Sequence, residues 1–404
     1  RMGNIFLLCF VLVAVSHAAQ DDPEIFMTAP EMIRYWGYPA EEHSATTKDG
    51  YILGLHRIPH GVSGSNDGCR PVVFMQHGTE CDSTNWIINL PSQSAGFVFA
   101  DAGFDVWLGN VRGNTYSKNH VNMTSKDEKF WEFSWDEMAD YDLPAMIEYV
   151  LKTTNQKSLY YIGHSQGTLT MFAKLSEDQE FASKINKFFA LAPIGQVAHI
   201  NGSLKEMADR LTDDVQVFYD LFGSTEFLPN GPVTDLIAKW VCGTTEEGED
   251  FCDNLLMQMT GPETSDQFNK SRTEVYMGHS PAGTSTQNVL HFAQMVENAN
   301  VARFDYGTPK SNYKHYGSNT PPVYDFSTIK ADMYLYWSDI DYLADPQDIQ
   351  EYLIPALNPN YLKLSQFVPG YTHMDFVWGM RATDELYKPI IETIKNALGG
   401  SVKC

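Results

Sequence analysis

Short apolar runs that alternate with helical patterns constrain this chain more than any other feature. Val72 to Met75, Phe104 to Leu108, Leu159 to Ile162, Phe188 to Leu191, Met333 to Trp337 and Tyr361 to Phe367 read as strands. Several are near-continuous hydrophobic runs, as expected of parallel strands buried on both faces. Helical patterns lie between them, notably Asp136 to Leu151, Thr168 to Leu175 and Pro346 to Ala356. Strand–helix alternation predicts a doubly wound, mostly parallel sheet. Tyr51 to Ile58, preceded by His43 to Thr47, reads as an antiparallel lead-in.

One interval breaks the rhythm. From Gln196 to about Asp325 the strand pattern disappears, and amphipathic stretches such as Val217 to Leu228 and Leu255 to Met259 replace it. Roughly 130 residues between two core strands far exceeds an ordinary connection. We expect a helical cap, acting as a lid, over the C-terminal edge of the sheet, where open α/β folds bind ligands. The organisation predicted is a signal peptide over 1–18, a core in two parts over 19–195 and 326–404, and the cap over 196–325.

Charge and cysteines set the surroundings. With 28 basic and 51 acidic residues the net charge is −23, which opposes binding to phosphate backbones and excludes nucleic acid as a partner. Ile5 to Val15 is an apolar run too short to span a bilayer, and it ends in small residues around Ala18 and Ala19, as a secretory signal does. No later segment is apolar enough to cross a membrane. Sequons at Asn122, Asn201 and Asn269 are usable only on a secretory route. Outside the signal, five cysteines remain: Cys69, Cys81, Cys242, Cys252 and Cys404. Neither they nor the histidines have metal-site spacing, so no metal is expected. Cys242 and Cys252 are the leading disulfide candidates, and a Cys69–Cys81 link requires the chain to fold back.

Gly163-His164-Ser165-Gln166-Gly167 fits Gly-x-Ser-x-Gly. Chance alone produces such a match in roughly one chain of this length in seven. Here it stands directly between a strand and a helix, the strand–turn–helix in which a nucleophilic serine occupies a sharp elbow. A serine hydroxyl needs a base, and the base an orienting acid. His373 lies in the loop after the last strand, and Asp339 and Asp341 follow the strand before it. Spacing does not choose between the two aspartates. Thr79, after the strand Val72 to Met75, and Gln166, after the serine, are placed to offer oxyanion-hole N–H groups. His77 reads as a structural histidine, and His164 as pointing away from the chemistry.

At these residues the chain resembles the animal acid lipases, the gastric and lysosomal acid lipase family of the α/β-hydrolase fold. The likeness runs from about Pro30 to Ile394 and includes Trp36-Gly37-Tyr38-Pro39, Ala102 to Asn110, Arg112-Gly113-Asn114, Pro281 to Ser285 and His373-Met374-Asp375-Phe376. The resemblance implies hydrolysis of triacylglycerol or cholesteryl esters at a lipid–water interface, without a cofactor, in a secreted or lysosomal protein. It selects Asp341 over Asp339 and supports a Cys242–Cys252 bridge. The chain departs from the family after His77-Gly78, where Thr79-Glu80-Cys81-Asp82 replaces the usual Leu-Leu and sets two carboxylates beside the oxyanion hole. The rival reading is a catalytically silent lipid-binding or storage protein on the same fold, which the complete Ser165, Asp341 and His373 set opposes.

Overall fold

The computed structural model describes residues 22–64, 68–202, 205, 223–227, 260–262 and 266–400. The predicted signal segment and Cys242, Cys252 and Cys404 lie outside them, as do Leu255 to Met259 and most of Val217 to Leu228.

Eight strands form the path of the central sheet. They are β1 (Glu41–Thr46), β2 (Tyr51–Ile58), β3 (Val72–Gln76), β4 (Asp105–Gly109), β5 (Leu159–His164), β6 (Ile185–Leu191), β7 (Met333–Trp337) and β8 (Leu362–Phe367). Their spatial order is β1-β2-β4-β3-β5-β6-β7-β8, and a short segment, Asn119–His120, pairs beside β2. The first two steps, β1 to β2 and β2 to β4, are antiparallel. Every step from β4 to β8 is parallel. The mostly parallel sheet and its antiparallel lead-in are both present.

Burial explains why these runs are legible. Each residue of β3, β4 and β5 is buried, because helices cover both faces of a parallel sheet. Strand β8 instead alternates between half-buried and exposed positions. It lies at the sheet edge, where Lys363 is exposed and its charge discourages pairing with another chain.

Helix α1 (Leu143–Thr154) buries Leu143, Met146, Ile147, Val150 and Leu151 and ends on left-handed Asn155. The helical stretch predicted from Asp136 is interrupted. Trp135–Glu137 is α-helical, Met138–Asp142 widens to a π-turn, and α1 then begins with Pro144 in its first turn. Pro144 has no N–H for the regular ladder, and the wider turn accommodates it. Helix α2 (Gln166–Glu177) leaves β5 at the predicted elbow.

The 196–325 interval contains helices Thr273–His279, α3 (Thr286–Asn298) and Pro309–Tyr316. It also contains an antiparallel pair, Glu226–Phe227 with Thr284–Ser285, contrary to the reading that strands disappear there. Two residues a side are too short to leave a period-two pattern. The final helix, α4 (Lys388–Ala397), buries Ile390, Ile391 and Ile394 against the core. Among the described residues no helix is long and apolar enough to cross a membrane.

Candidate active site

Strand β5 delivers Ser165 to the top of the sheet, where its backbone turns through φ 53°, ψ −124°. A side chain at such an angle carries roughly 1–3 kcal/mol of strain. The flanking positions are glycines because there is no room for a Cβ. At Gly163 it would lie 2.8 Å from Gly167 O, and at Gly167 2.4 Å from Gln76 O. The Ser165 N–H donates to Leu191 O at 3.1 Å, tying the elbow to β6.

The loops after β7 and β8 meet beside this elbow. His373 Nδ1 lies 2.9 Å from each carboxylate oxygen of Asp341, and both residues are buried. Asp341 Oδ1 is held by the Leu343 and Ala344 N–H groups, each at 2.9 Å. Asp339, the alternative that spacing left open, accepts instead from Gly370 N–H at 2.9 Å and Ser338 Oγ at 3.2 Å. It staples the two loops together and makes no bond to the imidazole.

His164 does not point away as expected. Its ring lies 4.9 Å from that of His373, and Nε2–H donates to the His373 carbonyl at 2.9 Å. Burial drives its pKa well below the ordinary histidine range, and the neighbouring His373 adds to the shift. A neutral ring therefore ties the serine elbow to the histidine loop.

The loop after β3 is fixed from behind. His77 Nδ1–H donates to Gly78 O at 2.7 Å, while Nε2 accepts from Val111 N–H at 3.3 Å and Asn114 Nδ2 at 3.1 Å. Those roles require the neutral ring, and burial lowers its pKa to about 4. The structural reading of His77 agrees with this. A Cβ at Gly78 would lie 2.9 Å from that of Ser165, so the loop passes against the serine. Thr79 follows, and Gln166 heads α2, whose first N–H groups have no partner within the helix.

A profile described as a partial alpha/beta-hydrolase lipase region matches residues 29–90, and one for the alpha/beta hydrolase fold matches 71–379. Lipase lipl-1 of Caenorhabditis elegans is 50% identical, over 99% of this chain and all of the relative. Gastric triacylglycerol lipase of Bos taurus is 43% identical over 92% of this chain and 91% of its own. This chain belongs to the acid lipase family. Human lysosomal acid lipase/cholesteryl ester hydrolase is likewise 43% identical, over 93% of this chain and 92% of that one. A crystal structure of a candidate lipase from Sulfolobus solfataricus shares the fold, with a TM-score of 0.60 at 13% identity over 89% of this chain and 94% of the other. The protein is a lipase and carboxylic ester hydrolase.

Within this lipase the cysteines require a correction. Cys69 is disulfide-bonded and Cys81 is a buried free thiol, so the two are not joined. The chain does not fold back to pair them, because β3 carries them apart. The Cys242–Cys252 proposal falls outside the described residues. Of the sequons, Asn122 is exposed. The Asn201 amide donates to His199 O and Asp345 Oδ2, and the Asn269 amide to Asn89 and Gln93.

Glu80 has φ 55° and its carbonyl accepts the Ala282 N–H at 2.7 Å. Both carboxyl oxygens are shielded from solvent and have no close hydrogen bond among the described residues. Burial raises the carboxyl well above the ordinary range; the Gly283 N–H opposes the shift, Glu226 adds to it and Lys118 opposes it. Lys118 itself pairs with Glu226. The neighbour that matters is thus Glu226, not Asp82, which caps the next turn through Thr84 N–H. A carboxyl raised on folding stabilises below its unfolded pKa of about 4.3, and that stability is lost as pH rises toward the folded value. Glu80→Gln should therefore melt like wild type near pH 4 and at a higher temperature than wild type near pH 8. Parallel melting curves across that range would rule out the buried acid.

Proposed function

We propose that this lipase cleaves triacylglycerol or cholesteryl esters through an acyl-enzyme on Ser165. The observation that carries the reading is the bond of both Asp341 oxygens to His373 Nδ1, on a loop that His164 ties to the serine elbow. Asp341 fixes the tautomer with Nδ1 protonated, leaving Nε2 as the base toward Ser165. Ser165 Oγ attacks the acyl carbon as His373 Nε2 takes its proton. The carbonyl oxygen becomes an oxyanion facing the N–H groups of Thr79 and Gln166. His373 then gives the proton to the departing alcohol. A water molecule, deprotonated by the same ring, releases the fatty acid.

A lipid substrate and a lipid–water interface are supported by the relatives named for triacylglycerol and cholesteryl ester hydrolysis. The interval 196–325, inserted between β6 and β7, is the segment proposed to cover the site. A secreted or lysosomal destination is supported by the apolar leader, the sequons and the disulfide at Cys69.

A fluorophosphonate probe should label the protein once, on the peptide that carries Ser165. A hydrolysis panel of short soluble esters, emulsified triacylglycerol and cholesteryl ester should show turnover rising past the solubility limit. Absence of labelling with retained lipid binding would replace the enzyme by a lipid carrier. Labelling at another residue would remove Ser165 from the mechanism.

A further inference from the structure

Thr79 and Gln166 lie on unrelated segments, one after β3 and the other at the start of α2, so the spacing of their N–H groups is not set by either segment alone. A single buried side chain from the 196–325 interval touches both. Asn288 is fully buried in the first turn of α3, its own N–H donating to the N-cap Ser285 Oγ at 2.9 Å. Ser285 Oγ–H in turn donates to Phe133 O, which fixes this helix end on the core. One hydrogen of the Asn288 amide goes to Gln166 Oε1 at 2.7 Å, and the other is shared between Thr284 Oγ1 at 3.1 Å and Thr79 Oγ1 at 3.4 Å. Among the described residues the other end of the Gln166 amide meets a soft acceptor, Met138 Sδ at 3.2 Å. Asn288 is therefore the strongest restraint on the Gln166 side chain. Its own Oδ1 is buried and makes no hydrogen bond among the described residues, so the residue acts through its donors alone.

We propose that Asn288 is a positioning residue of the oxyanion hole, its amide bridging the Thr79 and Gln166 side chains so that their backbone N–H groups converge on one point. The inference rests on the acyl-enzyme reading above. Oxyanion stabilisation is sensitive to where the donors point, and a shift of about 1 Å can cost on the order of 10²-fold in rate. Because the donors it aligns act only as charge develops on the substrate oxygen, loss of the bridge falls on kcat and not on substrate binding.

The test uses the full-length protein and a soluble p-nitrophenyl ester. Asn288→Ala should lower kcat roughly 10- to 100-fold with KM within about twofold of wild type. An alkylboronic acid, which forms a tetrahedral adduct on the serine, should lose affinity by a similar factor. A non-hydrolysable ether analogue, which develops no oxyanion, should bind as before. Asn288→Asp keeps the shape and supplies a pH readout. Its neutral carboxyl can donate one O–H to Gln166 Oε1, whereas its carboxylate cannot, so its kcat relative to wild type should rise as pH falls from about 7 to about 5. If Asn288→Ala does not fold, the Asn288→Asp profile decides alone. A folded Asn288→Ala with kcat within about twofold of wild type, a loss confined to KM, or an Asn288→Asp profile parallel to wild type would each overturn the proposal. Turnover that survives Ser165→Ala overturns the acyl-enzyme reading itself. An inactive Ser165→Ala beside unimpaired Asn288 variants overturns only the bridge.

Discussion

Ser165→Ala is expected to lower kcat by about 10⁴-fold or more with the fold intact, a loss of about 5.4 kcal/mol of transition-state stabilisation. Alanine removes Oγ and keeps the backbone, including the N–H that donates to Leu191 O. It also keeps the strain at φ 53°, so thermal stability should change little. His373→Ala and Asp341→Asn should fall in the same range. The first removes the base, and the amide introduced by the second can turn an NH₂ toward His373 Nδ1–H, which needs an acceptor. The three losses should not add, because each breaks one proton-transfer unit. Steady-state kinetics on a soluble ester, with unfolding curves as the control, check all three. Substantial turnover by Ser165→Ala would dismiss the mechanism.

Arg112→Met is expected to destabilise the protein by about 3–5 kcal/mol near neutral pH, the usual result of leaving a buried charge without its partner. Arg112 is fully buried. Its Nε donates to Asp142 Oδ1 at 2.8 Å, its guanidinium also pairs with Asp49 at 2.6 Å, and its Cζ lies 4.0 Å above the Tyr51 ring. Asp142 is inaccessible, and burial outweighs even the attraction of Arg112, raising its carboxyl to about 6. Methionine fills much of the arginine volume, so the loss reports charge more than packing. Without the guanidinium, Asp142 is raised further and becomes neutral more readily as pH falls. Chemical denaturation should therefore show a gap to wild type that is widest near pH 8 and narrows toward about pH 5. An equal gap at both values would mean that aromatic packing, and not the Asp142 charge, is what Arg112 supports.

Elements that need only local pattern are legible in the sequence. Strand β7 begins and ends where its apolar run does, and the others lie within a few residues of theirs. The serine elbow is legible because one pentapeptide and its neighbours contain the whole device. Asp341 is different, since Asp339 has the same residue type in the same loop. What separates them is that Asp339 is occupied by Gly370 N–H, a partner 31 residues away that no spacing reveals. His164 escapes a sequence reading for a related reason. A residue next to an elbow serine leaves the nucleophile's direction, but the His373 loop comes round to meet it. The π-turn before α1 has a visible cause in Pro144, although pattern alone does not place it. Asn288 has no sequence signal beyond its nearness to a family motif, because its partners lie 122 and 209 residues away.

Thr260 carries a wider consequence. Its carbonyl accepts the His373 N–H at 3.0 Å and the Tyr342 N–H at 3.4 Å, so the loops after β7 and β8 share one acceptor supplied by the long segment between β6 and β7. At the adjoining Gly261 a Cβ would come within 2.7 Å of Ile340 O, leaving no slack in the fit. Recombination between relatives is constrained accordingly. A chimera whose replacement segment places no carbonyl at this point would strand two backbone donors, those of Tyr342 and His373, at a cost of about 1–3 kcal/mol each.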